Sequence, residues 1–362
     1  MVFDSRAAWW QSLPMLSKDK TLRSLDDLVA AGLVPAGAAD VLRPVTETFA
    51  VGVSPEMVAV ISERGATSPV ARQFIPDPRE LLIEPVELHD PIGDVEHSPL
   101  PGVVHRYPDR VLFKIVSVCP VYCRFCFRRE MVGPDGDGAM SEAQISDAIA
   151  YVRARPQIRE VILTGGDPLM LSPRRIRALM AQLDDIAHLD IVRWHSRVPV
   201  VAPERLTDEA IAALVGSGKT VIVAVHCNHV EEIGEAAEAS LRALRRAGIL
   251  LLSQTVLLKG INDTLPALEA LMRALLRLGV LPYYLHHGDL ARGTAHFRTT
   301  LTEGLDLVEA LRGRLTGLAQ PTYVVDLPGG YGKVPVTREL IAQGGARTWS
   351  GEWVTYPPAA SA

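Results

Sequence analysis

Three of the four cysteines fall within eight residues, in the order Cys119-Pro-Val-Tyr-Cys123-Arg-Phe-Cys126. Three thiolates on one short loop suit three corners of a [4Fe–4S] cube, a cluster more often held by four. The fourth iron is then open to a chelating ligand. S-adenosylmethionine is such a ligand, through its amino and carboxylate groups, before one-electron cleavage. A closed zinc site would need a fourth Cys or His. His105 or Cys227 could supply it only by chance placement in the fold. The cysteines are too few and too clustered for a disulfide framework.

Two further segments carry residues with chemistry in them. Gly165-Gly166-Asp167-Pro168 ends an apolar run; its glycines let backbone approach a ligand, and Asp167 is placed to meet an ammonium group. Lys333 ends Gly329-Gly330-Tyr-Gly332-Lys333. A lysine on a glycine turn is read either as a surface turn or as a Schiff-base lysine for pyridoxal phosphate. That cofactor needs a phosphate grip, and His105-Arg106-Tyr107-Pro108-Asp109-Arg110 offers two guanidinium forks and an aromatic ring.

These residues need elements to position them. Apolar strands are expected near 111–118, 159–164, 189–194, 219–226, 249–257 and 282–286, separated by helix patterns such as Glu142–Arg153, Pro173–Asp184 and Gly234–Ala247. Six βα units in a row predict a parallel sheet with right-handed crossovers, an open three-quarter barrel. Its catalytic groups belong at the carboxyl ends of the strands, where the cysteine and glycine loops lie. Residues 1–96 read as a helical region, with helices over Thr21–Ala31, Ala36–Phe49 and Ser54–Glu63, starts near Ser24, Ser54 and Ser68, and a proline-bearing connector over Pro76–Pro101.

Together His105–Arg110, Cys119–Arg129, Gly165–Asp167, His226–His229, Gln254–Asp263, Gly288–Arg298 and Asp326–Lys333 resemble the lysine 2,3-aminomutase family of radical SAM enzymes. The likeness runs from about Asp77 to Val336. It implies an α/β fold with a partial (β/α)6 radical SAM barrel over 97–311, after the helical region 1–96 and before a C-terminal segment 312–362 that carries the cofactor lysine. The implied cofactors are a [4Fe–4S] cluster on Cys119, Cys123 and Cys126, S-adenosylmethionine and pyridoxal 5′-phosphate. Gly165, Gly166, Asp167, His226 and Gln254 would line the S-adenosylmethionine site. Lys333 would be the Schiff-base lysine, with Arg106, Tyr107 and Arg110 around the cofactor. Arg128 would pair with the substrate carboxylate, and Asp289 and Asp326 with the ε-ammonium of L-lysine. The implied reaction is an isomerisation: the 2-amino group moves to C3, by way of a 5′-deoxyadenosyl radical, giving β-lysine. A low-potential donor such as flavodoxin or ferredoxin would reduce the cluster.

The chain also departs from that family. No cysteine follows Cys227, and Thr264 stands where a barrel cysteine would help hold zinc. We therefore expect no structural zinc, which removes the basis of the usual oligomeric packing and leaves a homo-oligomer open. The length resembles the branch that supplies (R)-β-lysine for elongation factor P modification, whereas the Asp326–Lys333 segment looks more like the free-lysine mutases. Cys227 reads as a buried strand-end thiol, and Trp9, Trp10, Trp349 and Trp353 as packing near the termini.

The 362 residues are 48% hydrophobic and 22% charged, which excludes a disordered or collagen-like chain. With 37 Lys and Arg against 42 Asp and Glu, the net charge of −5 argues against a protein that holds nucleic acid by a basic surface. No run approaches the ~20 apolar residues of a membrane span. A cytoplasmic protein is expected. The competing readings are a radical SAM enzyme without pyridoxal phosphate, an aminomutase for another amino acid, and an iron–sulfur or zinc regulatory module.

Overall fold

A computed structural model describes residues 20–133 and 138–358. Trp9 and Trp10 lie outside the described residues. Nine strands form one sheet in chain order: β1 (Val103–Tyr107), β2 (Arg110–Val116), β3 (Glu160–Gly165), β4 (Ile191–Ser196), β5 (Thr220–His226), β6 (Leu250–Val256), β7 (Val280–His286), β8 (Thr322–Leu327) and β9 (Gly332–Pro335). Neighbours from β2 to β8 pair in parallel, and β1 and β9 flank them antiparallel. The parallel set thus has seven strands where periodicity predicted six. The seventh, β8, lies in the C-terminal segment and pairs in parallel with β7. The sheet order makes this an α/β partial barrel with its catalytic face at the strands' carboxyl ends.

Alternation drives the packing. Val111, Phe113 and Ile115 of β2, Val161 and Leu163 of β3, and Val192 and Trp194 of β4 are fully buried. Helices Glu142–Arg153, Pro173–Asp184 and Glu235–Arg246 match the sequence expectation, and serine capping sets the first two. Ser24, Ser54 and Ser68 cap Leu25–Ala30, Pro55–Arg64 and Pro69–Phe74, as their side chains accept the third helical N–H.

The helical N-terminal region grips the cysteine loop. Tyr122 N–H donates to the Gly52 carbonyl (2.9 Å), Arg124 N–H to the Gln73 carbonyl (2.9 Å), and the Arg124 guanidinium to the Ala50 carbonyl (2.7 Å). At the other end of the chain the sheet edges meet. Lys333 N–H of β9 donates to the Tyr107 hydroxyl of β1 at 2.8 Å, so one side chain bridges the gap an open barrel would leave. None of the described helices is long and apolar enough to cross a membrane.

Candidate active site

Cys119, Cys123 and Cys126 line one recess with Phe49, Tyr122 and Arg129. Among the described residues no three His, Cys, Asp or Glu side chains converge on a single metal ion. A cubic cluster does not require that, because each thiolate takes a different iron. Burial pushes the three thiols above their ordinary range, Cys126 to about 11. Buried sulfurs of this kind become stable thiolates beside a compensating cation or metal. Arg197 provides one such charge, donating to Cys123 Sγ at 2.7 Å. The same guanidinium donates to Gln73 Oε1 and Glu232 Oε2, both at 2.6 Å.

A second buried ion pair supports the loop from the connector. Glu80, fully buried, pairs with Arg124 at 2.5 Å and also with Arg129. Burial alone would raise the Glu80 pKa; Arg124 and then Arg129 outweigh it and hold the carboxyl below its usual range. Glu80→Gln leaves two buried guanidiniums with no counter-charge, which costs about 3–5 kcal/mol. The variant should melt roughly 5 °C or more below the wild type in anaerobic thermal denaturation. An unchanged melting curve would show that the pair contributes nothing net.

Gly165 and Gly166 owe their identity to a close approach by β2. A Cβ on either would collide with the carbonyl of Val116 or Val118. Asp167 N–H in turn donates to the Val118 carbonyl (2.9 Å), which pins the residue just before Cys119. The glycines therefore place the cysteine loop as well as exposing backbone. The Asp167 side chain is itself tied down. Its buried carboxylate accepts from the Ser196 hydroxyl (2.7 Å) and from the N–H groups of Arg197 (2.7 Å), Leu169 (3.0 Å) and Val198 (3.1 Å). These bonds tie the end of β3 to β4 and the loop after it.

His226 and Gln254 are register partners on β5 and β6. The His226 ring lies 5.7 Å from that of Phe125 in the cysteine loop. Burial drives His226 and His195 well below the usual histidine range, so both are neutral. Each has a buried Nε2 with no protein partner, a vacancy in hydrogen bonding suited to a bound polar group. Nothing in the sequence singled out His195.

The glycine-turn lysine sits opposite Asp326. The two are cross-strand partners on β9 and β8, and Lys333 Nζ donates to Asp326 Oδ1 at 3.0 Å. Lys333, with His286 at 3.8 Å, holds the Asp326 carboxyl well below its ordinary range against the opposing effect of burial. Asp289, just past β7, behaves oppositely: burial first and the Asp326 charge second push it up to about 8. Tyr107 stacks under Arg110, whose guanidinium carbon is 3.8 Å from the ring centre, and Arg110 also pairs with Asp109 at 2.6 Å. The exposed Trp349 leans on the Tyr107 ring at 6.1 Å. Arg128 donates to Thr164 Oγ1 (3.1 Å) and to Asp94, and Arg106 also reaches Asp94. The Arg106 Nε is buried without an acceptor, which suits a ligand oxygen. Cys227 is the buried thiol expected of it.

Residues 113–271 match the radical SAM superfamily, and 308–356 match a family described as lysine-2,3-aminomutase. L-lysine 2,3-aminomutase of Fusobacterium nucleatum is 39% identical over 82% of this chain and 69% of its own length. The chain belongs to the lysine 2,3-aminomutase family of radical SAM enzymes. The Bacillus subtilis L-lysine 2,3-aminomutase is 35% identical over 93% of this chain and 72% of its own. Glutamate 2,3-aminomutase of Clostridioides difficile is likewise 35% identical, over 86% and 74%. The family uses a [4Fe–4S] cluster, S-adenosylmethionine and pyridoxal phosphate. The cysteine recess, the unpartnered His226 nitrogen and the Lys333–Arg106 side of the barrel fit those three groups in turn.

Proposed function

We propose that this family member is an L-lysine 2,3-aminomutase, an isomerase that moves the 2-amino group of L-lysine to C3. The observation that carries the reading is the pair Asp289 and Asp326, one carboxylate half-buried and one buried, the charge of the second raising the pKa of the first, on the side of the barrel that presents Lys333. A buried ammonium needs compensating charge and hydrogen bonds, and two carboxylates provide both. The same pair repels the side chain of glutamate, which disfavours the substrate named for the Clostridioides relative.

When bound, the cluster with S-adenosylmethionine supplies a 5′-deoxyadenosyl radical, and pyridoxal phosphate supplies the conjugated carrier for the migrating nitrogen. The chain's own residues do the rest. Cys119, Cys123 and Cys126 hold the cluster, and Gly165, Gly166, His226 and Gln254 line the S-adenosylmethionine site, with Asp167 shaping it from behind. Lys333 holds the pyridine cofactor covalently, Arg106 and Arg110 take its phosphate, and Tyr107 supports it. Arg128 takes the α-carboxylate of lysine while Asp289 and Asp326 take the ε-ammonium. Fixing both ends of the substrate stretches it so that C3 faces the radical, the orientation effect on which the reaction depends. A flavodoxin or ferredoxin as reductant, and a cytoplasmic location, accord with this chemistry.

The test is anaerobic reconstitution of the cluster, addition of pyridoxal phosphate, S-adenosylmethionine and reductant, and mass spectrometry for β-lysine from L-lysine. β-Lysine is the expected product. Deoxyadenosine without β-lysine would mean that the radical chemistry is right and lysine is the wrong substrate.

A further inference from the structure

The connector before β1 holds a fully buried carboxylate that links two parts of the site. Asp94 Oδ2 accepts from Arg128 through Nε (3.0 Å) and Nη2 (2.8 Å), and Asp94 Oδ1 accepts from Arg106 Nη2 at 3.3 Å. Arg106 also donates to the Ile92 carbonyl of the same loop at 2.6 Å. All three side chains are almost wholly removed from solvent.

The loop is built to hold that carboxylate still. Asp90 accepts the N–H groups of Asp94 (3.0 Å) and Val95 (2.8 Å), closing a tight turn. Gly93, at φ +67°, lies against the backbone of Gly329 and Gly330, where a Cβ would collide. The turn that presents Lys333 is therefore seated on the loop that presents Asp94.

We propose that Asp94 is a positioning residue, which fixes the guanidiniums of Arg106 and Arg128 relative to each other and so couples the grip on the substrate carboxylate to the grip on the cofactor phosphate. This rests on the roles given to Arg106 and Arg128 above. One carboxylate between two buried guanidiniums leaves a net positive charge, which an anionic ligand neutralises. It also occupies one edge of the Arg128 fork, so the remaining donors point in a set direction. A mere counter-charge would act with the opposite sign: its removal would make the site more positive and tighten anion binding.

The experiment is calorimetric titration of L-lysine into the fully reconstituted protein, with pyridoxal phosphate and S-adenosylmethionine but no reductant, so that no turnover occurs. Asp94→Asn is expected to weaken L-lysine by roughly tenfold or more and to speed loss of pyridoxal phosphate on dialysis. Asp94→Glu keeps the charge and the fold while displacing both guanidiniums by a methylene, and is expected to weaken L-lysine severalfold. Binding of 1,5-diaminopentane, the same carbon chain without a carboxylate, should stay within twofold of wild type in both variants. Equal losses for lysine and diaminopentane would show a general structural role and overturn the proposal. Wild-type or tighter lysine binding in both variants would overturn it as well. Arg128→Met separates the two layers. If it leaves lysine binding intact, the carboxylate assignment fails and the inference falls with it. If it abolishes binding while both Asp94 variants bind normally, the assignment stands and the inference alone fails.

Discussion

Lys333→Ala is expected to remove β-lysine formation altogether, at least about 10³-fold, while the protein still folds and still cleaves S-adenosylmethionine slowly under reduction. The fold should survive because β9 is held by backbone pairing with β8, and the Lys333 N–H bond to Tyr107 does not depend on its side chain. Two signals separate this outcome from simple damage. The variant should lose the absorbance of bound pyridoxal phosphate after dialysis, and its cluster signal in electron paramagnetic resonance should match the wild type. Alanine also takes away the cation that does most to hold Asp326 ionised, so the Asp289–Asp326 pair should then take up a proton more readily. Persistent β-lysine formation by Lys333→Ala would remove the lysine from the mechanism.

Much of this site was legible because its chemistry lies in short, local patterns. The C-x3-C-x2-C loop, the Gly-Gly-Asp-Pro turn and the glycine-borne lysine each sit within ten residues, and the periodicity of the strands puts them at one end of a parallel sheet. What could not be read was every partner that arrives from far along the chain. Asp94, Glu80, Glu232 and Gln73 are ordinary polar residues in sequence, and only the fold shows that the three acids neutralise Arg128, Arg124 and Arg197 and that the Gln73 amide oxygen also accepts from Arg197. The connector over Pro76–Pro101 was legible as an irregular, proline-bearing segment. Glu80, Glu87 and Asp94 of that segment are buried, yet nothing in the sequence sets them apart from its exposed acids Glu84 and Glu96. The partners of Asp167 arrive in the same way: Ser196 and the backbone of Arg197 come from β4 and the loop after it. Alternation found the strands, yet the seventh was missed as a barrel member because pairing of Thr322–Leu327 with β7 depends on tertiary placement that periodicity does not encode.

The two carboxylates proposed to take the substrate ammonium lead to a quantitative prediction about protons. In the ligand-free site Asp289 is raised to about 8 and Asp326 is held low, so at pH 7 the pair carries close to one negative charge. An incoming ε-ammonium stabilises the ionised form of Asp289, so lysine binding at pH 7 should release up to one proton per site. The sign follows directly: apparent affinity should rise with pH between about 6 and 8, by up to roughly tenfold per unit, and level off once Asp289 is already ionised. Calorimetry in PIPES and in Tris, whose ionisation enthalpies differ widely, reads the released proton as a difference in observed heat. Asp289→Asn should abolish that difference. Asp326→Asn should do more harm, because it strips the pair of the carboxylate that is ionised from the start and leaves Lys333 unpaired; kcat/KM should fall by about 10²–10³-fold. In that variant Asp289 loses the smaller of the two influences that raise it, so its pKa falls part of the way and the pH dependence of the residual binding should move to lower pH. Identical heats in the two buffers for the wild type would mean that the two aspartates do not share the substrate ammonium, and the choice of lysine over other amino acids would then need a different physical basis.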